Sequence, residues 1–297
     1  MKYFSMGVGP ARKQRGLRAT FVAIAATAVV GCDKPAASSA ATSASAAVAV
    51  APSASGPPVT HAIPVAEDKV RAVVNPKGDK PYAGPTGNVA GVVRYRGPKP
   101  KMRDDVLAKI RAKCDASKMV YGPEFRVGAD GALADVLVAV TGYDGYLPAR
   151  SEAKRVDVSG CAFDRRTVVA MFGQRLDVYS KDKEPYMPRL LGAYAKAVMV
   201  AVPGGDAVKL YPDKPGRFGL TDAMYGAMYA DVFVLKYRTA SVTGTDGRFE
   251  ISGVPVGDLE IDALLPVNML TSKQKVKVEA GKTTQVELTL EPGDAGH

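Results

Sequence analysis

Histidine and tryptophan are nearly missing from this chain of 297 residues. It contains no Trp, and its two His are His61 and His297. A Ser or Cys nucleophile usually needs a His base, and neither a G-x-S-x-G turn nor an H-x-x-E zinc motif is present. The loop Pro203-Gly204-Gly205-Asp206 is not followed by the Lys-Ser/Thr pair of a phosphate-binding loop. These absences predict that the protein is not an enzyme, and the missing Trp argues against an antibody-type core.

Acidic residues are also in short supply, with 30 Asp and Glu against 40 Lys and Arg, for a formal net charge of +10. Five of the cations lie in the first 31 residues, which hold no acidic residue. Removal of that segment therefore leaves 266 residues with a net charge of +5. No run of Lys and Arg with interleaved aromatic residues stands out. We expect no nucleic-acid partner.

The first 32 residues have the layout of an export signal. Five cations come first, at Lys2, Arg12, Lys13, Arg15 and Arg18. The apolar run Phe21–Val30 follows, and the segment ends in Val29-Val30-Gly31-Cys32. These last four residues resemble the lipobox of bacterial lipoproteins, in which cleavage precedes a Cys that carries the lipids. As a helix the apolar run would rise about 15 Å, roughly half of the hydrocarbon thickness, so we expect no membrane-spanning helix.

The resemblance implies a signal peptide over residues 1–31 and a lipid on Cys32. The protein would then be exported and anchored to a bacterial membrane, facing the periplasm or displayed on the cell surface. Residues 33–60 consist almost entirely of Ala, Ser, Pro, Thr, Val and Gly, with no aromatic residue. Such a stretch buries too little apolar surface to offset its ordering entropy. We predict a lipidated, flexible linker over residues 32–83.

Two Cys remain once Cys32 is assigned to the lipid. Cys114 and Cys161 would lie in an oxidising compartment, where leftover Cys usually pair. Closing a loop of about 48 residues would stabilise the fold by about 4 kcal/mol in the chain-entropy model. A metal or redox pair is the alternative, but the spacing is not C-x-x-C and no His is near in sequence. We predict a structural disulfide.

Beyond the linker, short apolar segments alternate with Gly, Pro, Asp and Asn. Segments of strand length with many turn signals and few helices predict an all-β chain of Greek-key β-sandwiches. The best helix candidate is Arg103–Lys113, with Val106, Leu107 and Ile110 on one face. The sequence thus predicts one short helix near residues 103–113 among many strands.

The last sixty residues carry a recognisable motif. Thr245-Asp246-Gly247-Arg248-Phe249-Glu250-Ile251 leads into Ser252-Gly253-Val254-Pro255-Val256-Gly257, and a strand pair follows at Lys275–Glu279 and Thr284–Leu290. The order and spacing resemble the carboxypeptidase regulatory-like domain, an immunoglobulin-like, transthyretin-like β-sandwich. Asp-Gly is also a hairpin signal because Gly tolerates positive φ. The resemblance implies such a domain over residues 237–292, and 87–97 resembles the first strand of these domains.

The middle of the chain resembles cupredoxin-like domains. The segments that carry the likeness are Leu133–Val140, Cys161-Ala162-Phe163, Phe172–Val178 and Ala230–Leu235. The resemblance implies a cupredoxin-like β domain over residues 84–236. In the alternative division, residues 84–97 form the first strand of the last domain, and residues 98–236 are an insertion or a second domain.

The copper ligands of that family are not retained. Ser180–Tyr186 and Asp222–Met228 stand where the His, Cys and Met ligands occur, and only Met228 matches. Blue copper needs two His and a thiolate, so we predict no copper centre and no cofactor. Met224 and Met228 are weak candidates for Cu(I), which thioethers suit. The alternative is that both Met fill gaps in a core.

Tyrosine is concentrated where the copper loops would lie. Six of the thirteen Tyr fall between residues 179 and 229. Tyr186, Tyr225 and Tyr229 are candidates for a binding surface at one end of a sandwich, with half-buried rim positions as the alternative. We predict a non-enzymatic binding or structural module for an envelope protein or glycan. The alternative is a periplasmic Cu(I) carrier or electron-transfer accessory that uses Met ligands.

Overall fold

The computed structural model describes residues 62–192 and 198–292. The predicted signal peptide, the lipidation site Cys32 and most of the predicted linker lie outside these residues. The described part of the chain is mostly β, which confirms the predicted all-β class. None of its helices has the length and apolar character needed to cross a membrane.

Fifteen strands and three α-helices run through the described residues. The strands are β1 (Thr86–Tyr95), β2 (Leu137–Thr141), β3 (Lys154–Ser159), β4 (Ala162–Phe163), β5 (Thr167–Met171), β6 (Leu176–Ser180), β7 (Pro188–Leu190), β8 (Val208–Leu210), β9 (Gly216–Asp222), β10 (Tyr229–Leu235), β11 (Ala240–Val242), β12 (Arg248–Pro255), β13 (Gly257–Leu265), β14 (Leu270–Val278) and β15 (Thr283–Leu290). The helices are α1 (Glu67–Val74), α2 (Asp104–Leu107) and α3 (Asp115–Tyr121).

Seven strands form one sandwich, which we name the C-terminal sandwich. Its sheets have the strand orders β12-β1-β15 and β11-β2-β13-β14, and β1 pairs antiparallel with β12 and parallel with β15. Side chains alternate along β12, so that Phe249 and Ile251 enter a core shared by both sheets. Gly247 has a φ of 72° in the turn before β12, where an added Cβ would meet the Val93 carbonyl oxygen. The Asp-Gly signal therefore marks a tight turn.

Eight strands, β3 to β10, form the middle sandwich. Its sheets have the orders β4-β3-β6-β8 and β5-β10-β9-β7, and they enclose a core that includes Phe163, Phe172 and Leu220. The predicted disulfide between Cys114 and Cys161 is confirmed. It joins the residue before α3 to the residue before β4, and both Cys side chains are buried in the same core.

The middle sandwich is inserted between two neighbouring strands of the C-terminal sandwich. The chain leaves after β2 and returns at β11, and these strands pair antiparallel. The Val140 N–H donates to the Thr239 carbonyl (2.9 Å), and the Thr239 hydroxyl donates to the Val140 carbonyl (2.7 Å). The assignment of Leu133–Val140 to a cupredoxin-like strand is thus wrong, because β2 pairs with β11 and β13. A buried apolar strand fits either core, so its periodicity could not reveal its sheet.

A small third core fills the contact between the two sandwiches. Leu137 and Leu264 come from β2 and β13, while Val169 and Phe233 come from β5 and β10. All four are buried. Burying such side chains stabilises by about 1.5–3 kcal/mol each relative to exposure, so this contact holds the two sandwiches against each other.

The helices differ from the prediction. The helix predicted near 103–113 contains only the four residues of α2, after which the hydrogen bonds shorten to i→i+3 and the chain turns toward α3. Within the predicted linker, α1 places Val70, Val73 and Val74 against the core of the middle sandwich. These positions follow the i, i+3, i+4 spacing of one helix face. The structured part of the chain therefore includes residues that we predicted to be linker.

Candidate functional site

Tyr186 and Tyr225 do not form a surface. Tyr186 is fully buried, Tyr225 is 5% exposed, and their ring centroids lie 5.3 Å apart within the middle sandwich. The Tyr186 hydroxyl donates to Asp182 Oδ2 (2.8 Å) and accepts from the Cys161 N–H (3.1 Å). Burial raises the pKa of this hydroxyl above its usual value. The candidate binding surface is thus corrected at these two positions, because neither ring can reach a partner.

Charged side chains complete the cluster around Tyr225. Its hydroxyl donates to Glu184 Oε2 (3.0 Å), and Lys113 Nζ binds the same oxygen at 2.8 Å. The hydrogen bond from Lys113 holds the pKa of Glu184 below its usual value. The Arg111 guanidinium lies 5.0 Å from the Tyr225 ring centroid, a cation–π distance. This end of the sandwich is filled by mutually bonded side chains and is bound to the segment that carries Cys114.

The two candidate Cu(I) ligands lie in the same neighbourhood. Met228 is 1% exposed, and Met224 is partly buried against the core of the middle sandwich. Their backbone N–H groups also belong to turns, since Met224 N donates to Asp222 Oδ1 and Met228 N to the Tyr225 carbonyl. Across residues 62–192 and 198–292, no three His, Cys, Asp or Glu side chains are grouped to hold a metal.

Tyr229 stands apart from the other two Tyr. It is 43% exposed and faces a cleft of about 430 Å³, which we name the joint cleft. Middle-sandwich strands supply Arg217 and Tyr229, the segment around α2 supplies Arg103 and Lys109, and the end of β13 supplies Leu265 and its two following residues. Small-molecule sites usually occupy about 300–1,000 Å³ and often lie between domains. The joint cleft has this size and this position.

One carboxylate, that of Asp231, holds two side chains of the cleft wall in place. Asp231 Oδ1 accepts from Arg217 Nε (2.7 Å) and from the Tyr229 hydroxyl (3.0 Å). Arg217 Nη2 also donates to the Pro266 carbonyl (3.2 Å), which belongs to the C-terminal sandwich. The guanidinium lies 5.5 Å from the Phe233 ring centroid. Arg217 therefore bridges the two sandwiches at the rim of the cleft and orients Tyr229 through Asp231.

The cleft is also lined by Asp135, which is buried and forms an ion pair with the partly buried Arg126. Asp135 accepts from Arg126 Nε and Nη2 at 2.7 and 2.6 Å, and from the Arg166 N–H at 2.7 Å. The Thr167 hydroxyl donates to the Asp135 carbonyl (2.7 Å), and Asp135 N donates to the Thr243 carbonyl (3.2 Å). Asp135 thus bonds to segments of both sandwiches.

Asp135 was not singled out by sequence reasoning. One signal was available, because this carboxylate interrupts the apolar run Leu133–Val140. A buried carboxylate needs a hydrogen-bond or ion-pair partner, so its presence in this run indicates a contact with another segment of the chain. Its φ of 65° lies in the left-handed region, which Asp and Asn tolerate better than most residues.

Comparisons with known proteins add little to this geometry. No protein-family model matches the chain, and no curated protein matches it. Solved structures of amicyanin match part of it. Amicyanin from Paracoccus versutus is 14% identical over 33% of this chain and 96% of its own length, with a TM-score of 0.26. An oxidised amicyanin mutant is 16% identical over 28% of this chain and 83% of its own, with a TM-score of 0.25. At such scores the likeness establishes nothing further about this chain.

Proposed function

We propose that this chain is a lipid-anchored, non-enzymatic protein of the bacterial cell envelope that binds a protein or glycan partner through the joint cleft. The observation that carries the proposal is the cleft itself, with half-exposed Tyr229 on a wall that both sandwiches build. The export signal ending in Cys32 supports the location. The linker-type composition of residues 33–60 supports a tethered domain with reach beyond the membrane surface.

The chemistry of the cleft favours recognition over catalysis. Each buried carboxylate is already held by donors, Asp231 by Arg217 and Tyr229, and Asp135 by Arg126. The lone pairs of these carboxylates that face their donors are therefore already used in hydrogen bonds within the protein. These groups fix the shape of the wall and leave Tyr and Arg side chains to meet a partner.

The composition of the cleft fits a protein or glycan surface. Tyr and Arg are enriched among residues that dominate binding energy, because each brings contact area and a polar tip. Val267, 40% exposed, adds an apolar patch beside Tyr229 and Arg217. Aromatic and guanidinium groups next to a small apolar patch suit a sugar face or a polypeptide segment.

A photo-crosslinking experiment in the source bacterium tests the proposal. A photoreactive residue at position 229 should give one dominant crosslinked envelope component, while the same residue at exposed position 275 of β14 should not. The Arg217→Gln variant should reduce the yield at 229 because it removes the group that orients the wall. Equal crosslinking patterns at 229 and 275 would contradict the cleft as the binding site.

Mass spectrometry of the mature protein tests the anchor separately. We expect a lipid-modified N-terminal Cys32 and loss of residues 1–31. An unmodified N-terminus would contradict the proposed lipid anchor but would leave the proposal of binding through the joint cleft unaffected.

A further inference from the structure

A second cleft, of about 190 Å³, lies between the two sandwiches and is strongly basic. We name it the basic cleft. Five cations line it, and Glu250 is the acidic residue among them. The cations are Arg150, Lys154, Arg155, Arg165 and Arg238. They come from the segment before β3, from β3 itself, from the segment before β5 and from the β10–β11 connection. No part of the proposed function uses this cleft.

Two of the five cations are neutralised outside the cleft. Arg155 Nε lies 2.8 Å from Asp157, and Arg165 Nη2 lies 2.7 Å from Asp164. Arg150, Lys154 and Arg238 form no ion pair with an acidic side chain among the described residues. Three unpaired cations against Glu250 leave the basic cleft with an excess of about two positive charges.

The Arg238 guanidinium carries an unmet hydrogen-bonding demand. Its Nε is buried and has no hydrogen-bond partner within the described chain. A buried donor without an acceptor destabilises the folded state, because it has given up its hydrogen bond to water. Native structures keep few such groups, and a bound ion is one of the explanations for a group that persists.

The ammonium group of Lys154 also lies in an unfavourable electrostatic environment. Its pKa is lowered first by burial and then by the charges of Arg150 and Arg165. The charge of Glu152 opposes this lowering but does not outweigh it. None of the acidic side chains in the described ranges forms an ion pair with Lys154. Gathering like charges in a half-buried cleft destabilises a fold unless an opposite charge occupies the cleft.

Other side chains hold the cleft in shape. Gln174 is buried, and its Nε2 donates to the carbonyls of Arg150 (3.1 Å) and Glu152 (3.0 Å), while its Oε1 accepts from Met171 N (2.9 Å). Arg150 Nη2 in turn donates to the Ser252 hydroxyl (2.5 Å), across the gap to the C-terminal sandwich. The segment that bears Arg150 and Lys154 is therefore fixed rather than loose.

We propose that the basic cleft binds a phosphate group, held by Arg150, Lys154 and Arg238. A phosphate carries a charge of about −1.5 to −2 at neutral pH, which matches the excess positive charge of the cleft. Guanidinium groups bind phosphate oxygens in a fork, and Lys adds a point charge. Inorganic phosphate and the phosphodiester headgroup of an anionic phospholipid both offer phosphate oxygens to these donors, although the diester carries a single negative charge, and the experiment separates these sources.

Titration of the mature protein with inorganic phosphate, by calorimetry and by thermal unfolding, tests the proposal. We expect saturable binding and a rise in melting temperature at constant ionic strength, set against a chloride control. Lys154→Gln and Arg238→Gln should each weaken binding at least about tenfold, since each loses a charge-assisted bond. Lys275→Gln, on exposed β14, should bind as the parent does.

Stability without phosphate distinguishes a site from a structural cluster. Lys154→Gln and Arg238→Gln should unfold at the same or a higher temperature than the parent, because like-charge repulsion is relieved. A lower melting temperature for both variants in phosphate-free buffer would overturn the proposal in favour of a structural role. Failure of the parent to bind phosphate more tightly than Lys154→Gln would overturn it as well.

Vesicles identify the source of the phosphate. Because a lipid on Cys32 would itself bind vesicles, this experiment uses the Cys32→Ser chain, which cannot carry that lipid. Vesicles of phosphatidylglycerol and phosphatidylcholine should recruit this chain, and adding Lys154→Gln should abolish the recruitment, if a lipid headgroup is the ligand. Phosphate binding with equal vesicle recruitment of parent and variant would assign the cleft to a free phosphate. Absence of both the phosphate and the vesicle effect contradicts the proposal.

Discussion

The two sandwiches differ in how local their determinants are. In the C-terminal sandwich, a tight turn at Gly247 and alternating side chains along β12 lie within a few residues of each other. In the middle sandwich, the decisive contacts are distant in sequence, such as Lys113 with Glu184 and Cys114 with Cys161. Short-range patterns therefore locate the turn and strand β12, although the C-terminal sandwich also needs the distant pairing of β1 with β15. The contacts named for the middle sandwich have no local signal and depend on pairings that only the fold brings together.

The contact between the sandwiches is where this difference matters for function. The end of the middle sandwich where the resemblance led us to expect a binding surface is filled by Tyr186, Tyr225 and their acidic partners. Both clefts instead lie where the sandwiches meet, beside Tyr229 and beside Lys154. Inserting one sandwich into the other created surfaces that neither would have alone, and we place the binding functions there.

Removal of the Asp135 carboxylate should have the largest effect on this arrangement. Asp135→Ala leaves the partly buried Arg126 charge unpaired and should lower the free energy of unfolding by about 3–4 kcal/mol, toward the low end of the cost for a fully buried pair. Asn tolerates the same positive φ, so Asp135→Asn should lower the free energy of unfolding by less. Urea unfolding followed by circular dichroism measures both. Because Asp135 bonds to both sandwiches, we expect the unfolding transitions of the two sandwiches to lie further apart in Asp135→Ala than in the parent. A loss below about 1 kcal/mol would contradict its role.

Loss of the disulfide should destabilise the middle sandwich selectively. Replacing Cys114 and Cys161 together by Ser should cost about 2–4 kcal/mol, because the reduced chain gains loop entropy when unfolded. Hydrogen exchange should speed up in β3 to β10 and change little in β12 to β15. Equal acceleration in both sandwiches would mean that they unfold as one unit.

A matched glycine pair tests packing in the C-terminal sandwich. An added Cβ at Gly91 would meet the backbone of Val286, whereas one at Gly226 would meet nothing within 4 Å. Gly91→Ala should lower the free energy of unfolding by about 1–3 kcal/mol, the usual cost of overpacking, and Gly226→Ala should leave it nearly unchanged. Thermal unfolding measures both, and equal stability of the two variants would refute the close approach of β1 and β15.

The free energy of unfolding should depend on pH through the hydroxyl of Tyr237, which lies between β10 and β11. Burial raises its pKa to about 12, so its neutral form is favoured in the folded state. The resulting stability is complete below pH 10 and is lost as the pH rises toward 12. Between pH 9 and pH 11, the free energy of unfolding should therefore fall by about 1 kcal/mol less in Tyr237→Phe than in the parent. Urea unfolding at each pH measures this difference. An equal fall in the free energy of unfolding of the two proteins would mean that the hydroxyl is solvent-exposed in the folded state, which would contradict the prediction.

Sequence reasoning reached the all-β class, the disulfide and the turn before β12, because each depends on composition or on adjacent residues. It misplaced Leu133–Val140, since an apolar strand of that length fits either core. It also placed Tyr186 and Tyr225 at a surface, because burial of a Tyr requires partners such as Asp182 and Glu184 whose positions only the tertiary structure sets. Tyr229, the third candidate for a binding surface, is 43% exposed, but the cleft it faces is built by segments distant in sequence.

The placement of function at the contact between the sandwiches is tested most directly by hydrogen exchange. The mature protein would be measured with and without detergent-solubilised envelope from the source bacterium. Our account predicts slower exchange around α2, at the start of β10 and in the β13–β14 connection, with no change at residues 182–187. Slower exchange at residues 182–187 alone, or no change anywhere, would contradict it.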